Sequence, residues 1–264
     1  MPVFGHGHAV GLHDDPLGRW YFASEAHNDE TSKSILPILK KDGYTKVGMI
    51  YVNHASGKDS LDKFRKFAPQ FGVEVVGDVP IDFGAAEATA ELSKLKSLNP
   101  QAIWLYAFTA ESAAVAKARK ALAWNVPIYA LTLTAIPATK IAGTEPFEGW
   151  RFIAWSNNDA PEVQEVVKEY ESIYKAKPTE IGYFMGTYAA TLVQVQVMKT
   201  MAEKNIAFTR SNLRDSMEKF SGGIKVPIPR PRVTKPYGEP PHILIRAEDF
   251  IALEMKSGKL LEYK

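Results

Sequence analysis

The chain has 264 residues, 45% of them apolar and 23% charged, enough to bury a core. Its 32 basic residues nearly balance its 30 acidic ones, so there is no electrostatic case for nucleic acid as a partner. With no cysteine, disulfides, thiolate metal sites and cysteine nucleophiles are excluded. Charges interrupt every apolar stretch well short of the roughly 18 residues that a membrane span needs. The segment from Met1 to His8 lacks the basic patch and apolar run of a signal peptide.

In chain order, residues 30–42 are predicted to form a helix that ends at Gly43 and kinks at Pro37. The apolar run from Lys46 to Val52 reads as a buried strand. After the turn Asn53-His-Ala-Ser-Gly57, residues Leu61, Phe64, Ala68 and Phe71 share one helical face. Residues 73–76 read as a strand and residues 85–98 as a helix presenting Ala88, Leu92 and Leu95. A third strand spans 102–108, an alanine-rich helix 110–124, and a fourth strand 127–131. Strands joined through helices of this length need crossover connections, hence a parallel sheet covered on both faces. Such sheets bind ligands at the carboxyl ends of their strands.

The second half differs. Residues 149–155 read as a strand, and 161–176 as a helix with Val163, Val166, Val167, Tyr170 and Tyr174 facing inward and Pro161 in its first turn. Residues 180–204 form a long helix, and 209–220 another, capped by Thr209 or Ser211 and stopped at Gly222 and Gly223. Six prolines between Pro227 and Pro241 argue for an extended connector without regular structure. Short strands are expected at 243–246, 251–255 and 260–263.

A search for chemistry finds little. Gly5, Gly7 and Gly11 miss the dinucleotide spacing, and Lys58 is followed by Asp59 rather than the Ser or Thr of a phosphate loop. No nucleophile elbow or helical metalloprotease histidine pair occurs. The densest polar cluster is His6, His8, His13, Asp14 and Asp15, which reads either as a divalent-metal set or as a ligand-facing loop with His6 and His8 on one side. Trp104, Tyr106 and Phe108 alternate along one strand: the first two fit core packing, whereas Phe108 ends the strand, where side chains reach a cleft mouth. Arg230 and Arg232, set among prolines, read as a solvated linker rather than an anion site.

Taken in order, these segments resemble a known family. Trp20-Tyr-Phe-Ala23, a helix, and the stretch from Lys46 to Gly57 are similar to the crossover into the second lobe of type I periplasmic binding proteins, the branched-chain amino acid (leucine)-binding family above all. There the turn after the strand reads aspartate-x-x-tyrosine-glycine. Asp82-Phe83, Leu92-Ser-Lys-Leu95, Asn99-Pro100-Gln-Ala-Ile103, Phe147-Glu-Gly149, Pro161-Glu-Val163 and the stretch from Gly182 to Ala190 follow in the family's order.

The resemblance implies an α/β fold of the periplasmic binding protein type I kind, with a parallel Rossmann-like sheet flanked by helices and most of the first lobe missing. It implies a remnant of lobe one and the hinge crossover at 1–27, lobe two at 28–157, helices of lobe one at 158–226, and the proline-rich connector with C-terminal strands at 227–264. The two helices at 180–204 and 209–220 would then carry an apolar patch, covered by a dimer mate or by a partner supplying the missing lobe. The resemblance also implies the solute-binding component of an ABC-type transporter, working with a membrane permease outside the cytoplasm and using no cofactor and no covalent chemistry. Its pocket would be the interlobe cleft, with His6, Gly7 and His8 from lobe one and Ser56, Phe108, Thr109 and Thr132 from lobe two. Ser56 stands where the family's turn has tyrosine. Thr132 stands where amino-acid binders carry an acid, so a buried ammonium would lack its counter-charge. The ligand is thus expected to be a small amino acid-like molecule, amide or carboxylate. A ligand-sensing regulatory domain of the same fold and a metal-dependent α/β hydrolase using the His6–Asp15 cluster are the competing readings.

Overall fold

The computed structural model describes residues 2–5, 16–178, 180–226, 232–233, 237–238 and 242–263. The chain divides into two units, one made of Met1–His27 with Trp155–Phe250 and the other of Asn28–Ala154 with Ile251–Lys264. The expected cluster His6, His8, His13, Asp14 and Asp15, with Gly7, lies outside the described residues, as does Arg230.

The second unit opens with helix α1 (Asn28–Lys41), strand β3 (Lys46–Val52) and helix α2 (Ala55–Phe67). Strand β4 (Glu74–Ile81), helix α3 (Thr89–Lys96), strand β5 (Ala102–Tyr106), helix α4 (Thr109–Ala121) and strand β6 (Ile128–Leu131) follow. Helix α5 (Thr132–Ala142), strand β7 (Arg151–Ala154), and the late strands β11 (Ile251–Lys256) and β12 (Lys259–Glu262) complete it. Its seven strands run in the order β12-β11-β7-β6-β5-β3-β4. The five from β3 to β7 are parallel, while β11 joins β7 antiparallel and β12 joins β11 antiparallel. Strands buried on both faces need continuous apolar runs, which is what Ala102–Tyr106 and Ile128–Leu131 supply. On one face Ile103, Leu105 and Ile128 pack with Leu92, Leu95, Ala114 and Phe152. On the other, Trp104 stacks on Phe64 of α2 at 6.4 Å.

Two expectations are corrected here. Strand β4 continues to Ile81 through Pro80, which an edge strand tolerates because one side of its backbone needs no partner. Residues 132–142, not read as a helix, form α5 in spite of Pro137 and three threonines, since packing on α4 overrides weak propensity. The strands expected at 251–255 and 260–263 form β11 and β12 of the second unit's sheet.

The first unit holds β1 (Val3–Gly5), β2 (Tyr21–Ala23) and β10 (His242–Ile243), parallel in the order β1-β2-β10. At its centre the fully buried Phe22 stacks on His242 at 4.2 Å, and the Nδ1 of His242 lies 3.1 Å from the Tyr21 carbonyl. Helices α6 (Pro161–Tyr174), α7 (Ile181–Glu203) and α8 (Arg210–Glu218) follow. Thr209 caps α8, its hydroxyl accepting the Asn212 N–H at 3.1 Å. Residues Met185, Ala189, Val193 and Val197 line the buried seam of α7, while Val195 and Met198 are exposed. Tyr174, expected to face inward, is 64% exposed because α6 ends there, before the seam of Val163 and Val167 makes another turn. Within the proline-rich stretch, β9 (Arg232–Val233) pairs antiparallel with β8 (Lys225–Val226), so that connector is not wholly irregular.

One polar cluster ties the second unit together at the end of α1. The buried carboxylate of Asp42 accepts hydrogen bonds from Tyr129, from Arg151 at 3.0 Å and from Tyr263 at 2.5 Å. The Arg151 guanidinium also lies over the Tyr263 ring, 4.4 Å from its centre. Residues from β6, β7 and the segment after β12 thus share one anion, which follows α1 directly. Burial, helped by the hydrogen bond to Asp42, pushes the Tyr129 phenol above its ordinary value. The folded state therefore holds that proton more tightly than the unfolded chain, whose tyrosines ionise near pH 10. Its contribution is intact below that pH and is lost above it. Stability is expected to fall as the pH rises above about 10, and to fall less in Tyr129→Phe. Asp42→Ala, which strands a partly buried guanidinium, is expected to cost about 3 kcal/mol. Thermal unfolding across a pH series checks both.

Candidate functional site

In an open parallel sheet the crevice lies where helices from neighbouring strands leave toward opposite faces. Helix α2, which follows β3, packs with α1, whereas α4, which follows β5, packs with α3 and α5. Because β3 and β5 are hydrogen-bonded neighbours, the switch point lies at their carboxyl ends.

The chain turns out of β3 tightly. A Cβ on Gly57 would sit 2.0 Å from the Val52 carbonyl oxygen, so only glycine lets α2 start this close to the strand. His54 caps α2 with its ring: Nδ1 accepts the Ser56 N–H at 3.4 Å, and the Ser56 hydroxyl lies 3.3 Å from the same atom. Since a backbone N–H can only donate, Nδ1 is the acceptor and the neutral ring carries its proton on Nε2. Ser56 itself is half-buried, and its carbonyl accepts from the Asn28 side chain at 3.3 Å. Asn28 also reaches Asp59 at 2.7 Å, tying the start of α1 to that of α2.

Phe108 and Thr109, both half-buried, stand at the β5–α4 junction, with Phe108 as the N-cap. Thr132 is the first residue of α5 after β6, and its hydroxyl lies 3.4 Å from the Ile153 carbonyl. All four expected residues of this unit, Ser56, Phe108, Thr109 and Thr132, therefore lie at strand ends on one edge of the sheet. Three helix N-termini meet that edge, and the first turns of α2 and α5 carry no acid. The dipoles of these two helix ends favour an anionic or strongly accepting group there.

Two residues at this edge carried no role in the sequence reading. His54 lies 6.4 Å from Phe108 and 6.4 Å from Phe83, and the two phenylalanines are 5.8 Å apart at 82°. Phe83 is 71% exposed. Its turn is held on both flanks: Asn53 donates to Asp82 at 3.2 Å, and Gly84, at φ +80°, donates its N–H to Glu111 at 2.5 Å. Glu111, on the first turn of α4, is 1% exposed. The signal in the sequence was an aromatic residue directly before a glycine just past a strand, but its neighbours are set by the fold.

Among the described residues no three His, Cys, Asp or Glu side chains group as metal ligands. No helix among them is long and apolar enough to cross a membrane. In the first unit, a cavity of about 560 Å³ lies between α7 and α8, lined by Thr200, Met201, Lys219 and Phe220 among others.

A family model described as "Periplasmic binding protein" matches residues 1–245. No curated protein matches the chain. Among solved structures, a branched-chain amino acid ABC transporter protein from Thermus thermophilus with bound valine is 17% identical, at TM-score 0.83 over 100% of this chain and 71% of that one. An extracellular ligand-binding receptor from Rhodopseudomonas palustris HaA2 is 19% identical, at TM-score 0.80 over 100% of this chain and 75% of that one. An ABC transporter solute binding protein from R. palustris in complex with benzoate is 21% identical, at TM-score 0.67 over 92% of this chain and 64% of that one. At these identities the likeness establishes the fold.

Replacing Glu111 with alanine removes the acceptor for the Gly84 N–H. Amide exchange at residues 83–85 is expected to quicken by about tenfold or more, with amides of β3 and β5 unchanged, as hydrogen-exchange mass spectrometry can measure.

Proposed function

The chain belongs to the periplasmic binding protein family, and from that premise we propose that it is the solute-binding component of an ABC-type transporter. It captures a small amino acid-like molecule, amide or carboxylate by closure of two lobes and hands it unchanged to a membrane permease outside the cytoplasm. The observation that carries this reading is the switch-point edge, where Ser56, Phe108, Thr109 and Thr132 stand beside three helix N-termini. Those groups can accept a carboxylate or carbonyl by hydrogen bonding and shape alone. The Ser56 hydroxyl lies 3.3 Å from His54 Nδ1, but that nitrogen accepts the Ser56 N–H as the cap of α2, which supports a structural use of the pair and retention rather than reaction.

The ligands in the titles of similar structures, valine and benzoate, both present a carboxylate. Thr132 offers no charge to an ammonium, which favours a ligand whose affinity comes from its acid or amide end. The proposal extends to His6, Gly7 and His8 as ligand contacts from the first lobe. It extends also to a covering partner for the exposed Val195 and Met198 of α7, either a second copy or a segment completing the first lobe.

Thermal unfolding with valine, leucine, benzoate and acetamide tests the core of it. A true ligand at about 100 times its Kd adds about 2.7 kcal/mol, which is expected to raise the Tm by roughly 5–10 °C. Mass spectrometry should recover that ligand unaltered. Turnover of any of these compounds, or a flat Tm with every solute of this class, would sink the reading.

A further inference from the structure

We propose that His54, Phe83 and Phe108 form an aromatic corner that selects a planar, ring-bearing carboxylate as the ligand of this edge. The inference rests on the solute-binding reading and narrows it. The three ring centres mark a triangle with sides of 5.8, 6.4 and 6.4 Å, at the carboxyl ends of β4, β3 and β5. The 82° angle between Phe83 and Phe108 makes two walls at nearly a right angle. A flat ring laid on one wall meets the other edge-on, and both arrangements are attractive for aromatic pairs.

Two facts separate this corner from ordinary packing. A phenylalanine 71% exposed gains little from the fold, and most of its apolar surface stays in water. Yet its turn is not left loose. Asp82 is tied to Asn53, and the Gly84 N–H is held by a carboxylate that is 1% exposed. Burying an acid to fix a turn is costly, and what the turn fixes is the position of an uncovered ring.

The polar end of the ligand is assigned by the same geometry. With Nδ1 of His54 occupied by the Ser56 N–H, Nε2 is left as a donor in the neutral ring. The N-terminus of α2, with no acid in its first turn, begins beside these rings and favours negative charge, whereas that of α4 is already answered by Glu111. Apolar stacking surface next to donors describes an aromatic acid better than an aliphatic amino acid. The latter would set its ammonium near positive helix ends.

The experiment is calorimetric titration of the full chain with benzoate, cyclohexanecarboxylate, leucine and valine, repeated on Phe83→Ala and Phe83→Leu. Cyclohexanecarboxylate keeps the acid and the bulk but not the plane, and Phe83→Leu keeps apolar bulk without the ring. Both variants alter an exposed side chain, and circular dichroism verifies that they fold. The expected result is that benzoate binds at least fivefold tighter than cyclohexanecarboxylate, and that both variants weaken benzoate roughly three- to tenfold, the range of one lost aromatic contact. Equal affinity for the two acids, an unchanged benzoate affinity in Phe83→Leu, or binding of leucine or valine without benzoate each overturns the aromatic assignment and leaves solute capture standing. Binding of none of the four overturns both.

Discussion

A parallel sheet covered on both faces has to change sides somewhere, and in this chain the change falls between β3 and β5. Right-handed crossovers from adjacent strands, one toward each face, leave the carboxyl ends of those strands uncovered by helix. His54, Ser56, Phe108 and Thr109 owe their places to that gap. Gly57 shows how tightly it is built: α2 begins so near β3 that any Cβ would collide with the strand's last carbonyl. The helix start is thus brought to the gap, and its N–H groups come with it.

The edge combines rigidity with exposure. Hydrogen bonds from Asn53 and to Glu111 hold the 82–84 turn, Asn28 steadies the start of α2, and His54 closes the cap. A binding surface arranged before its ligand arrives loses less freedom on capture than one that must order itself. That economy suits the capture role proposed for this edge.

Much of the second unit was legible because its strands are apolar along their whole length and its helices are punctuated by glycine, as at Gly43 and Gly72. The β3–β5 order of family-like segments was legible too, and with it the strand-end positions of Ser56, Phe108, Thr109 and Thr132. Helix α5 was not: threonines and Pro137 speak against a helix locally, and only its packing on α4 shows why they are tolerated. Strand β4 likewise runs past the expected 73–76 and through Pro80, because edge position is a property of the sheet and not of the residues. His54 and Phe83 are separated by a whole helix and strand in sequence. Their shared corner with Phe108 appears only when β3, β4 and β5 are laid side by side.

The chain end has its own consequence. Strand β11 covers the free side of β7, and Tyr263 reaches the Asp42 carboxylate, so residues 251–264 finish a sheet whose other strands lie before residue 155. During synthesis the ribosome delivers nearly a hundred residues of the first unit before that last pair of strands can emerge, at the usual rate several seconds or more of delay. Throughout that interval β7 presents a bare hydrogen-bonding margin to other chains. Pairing of β11 closes that margin, and the sheet's outer strand on this side then becomes β12.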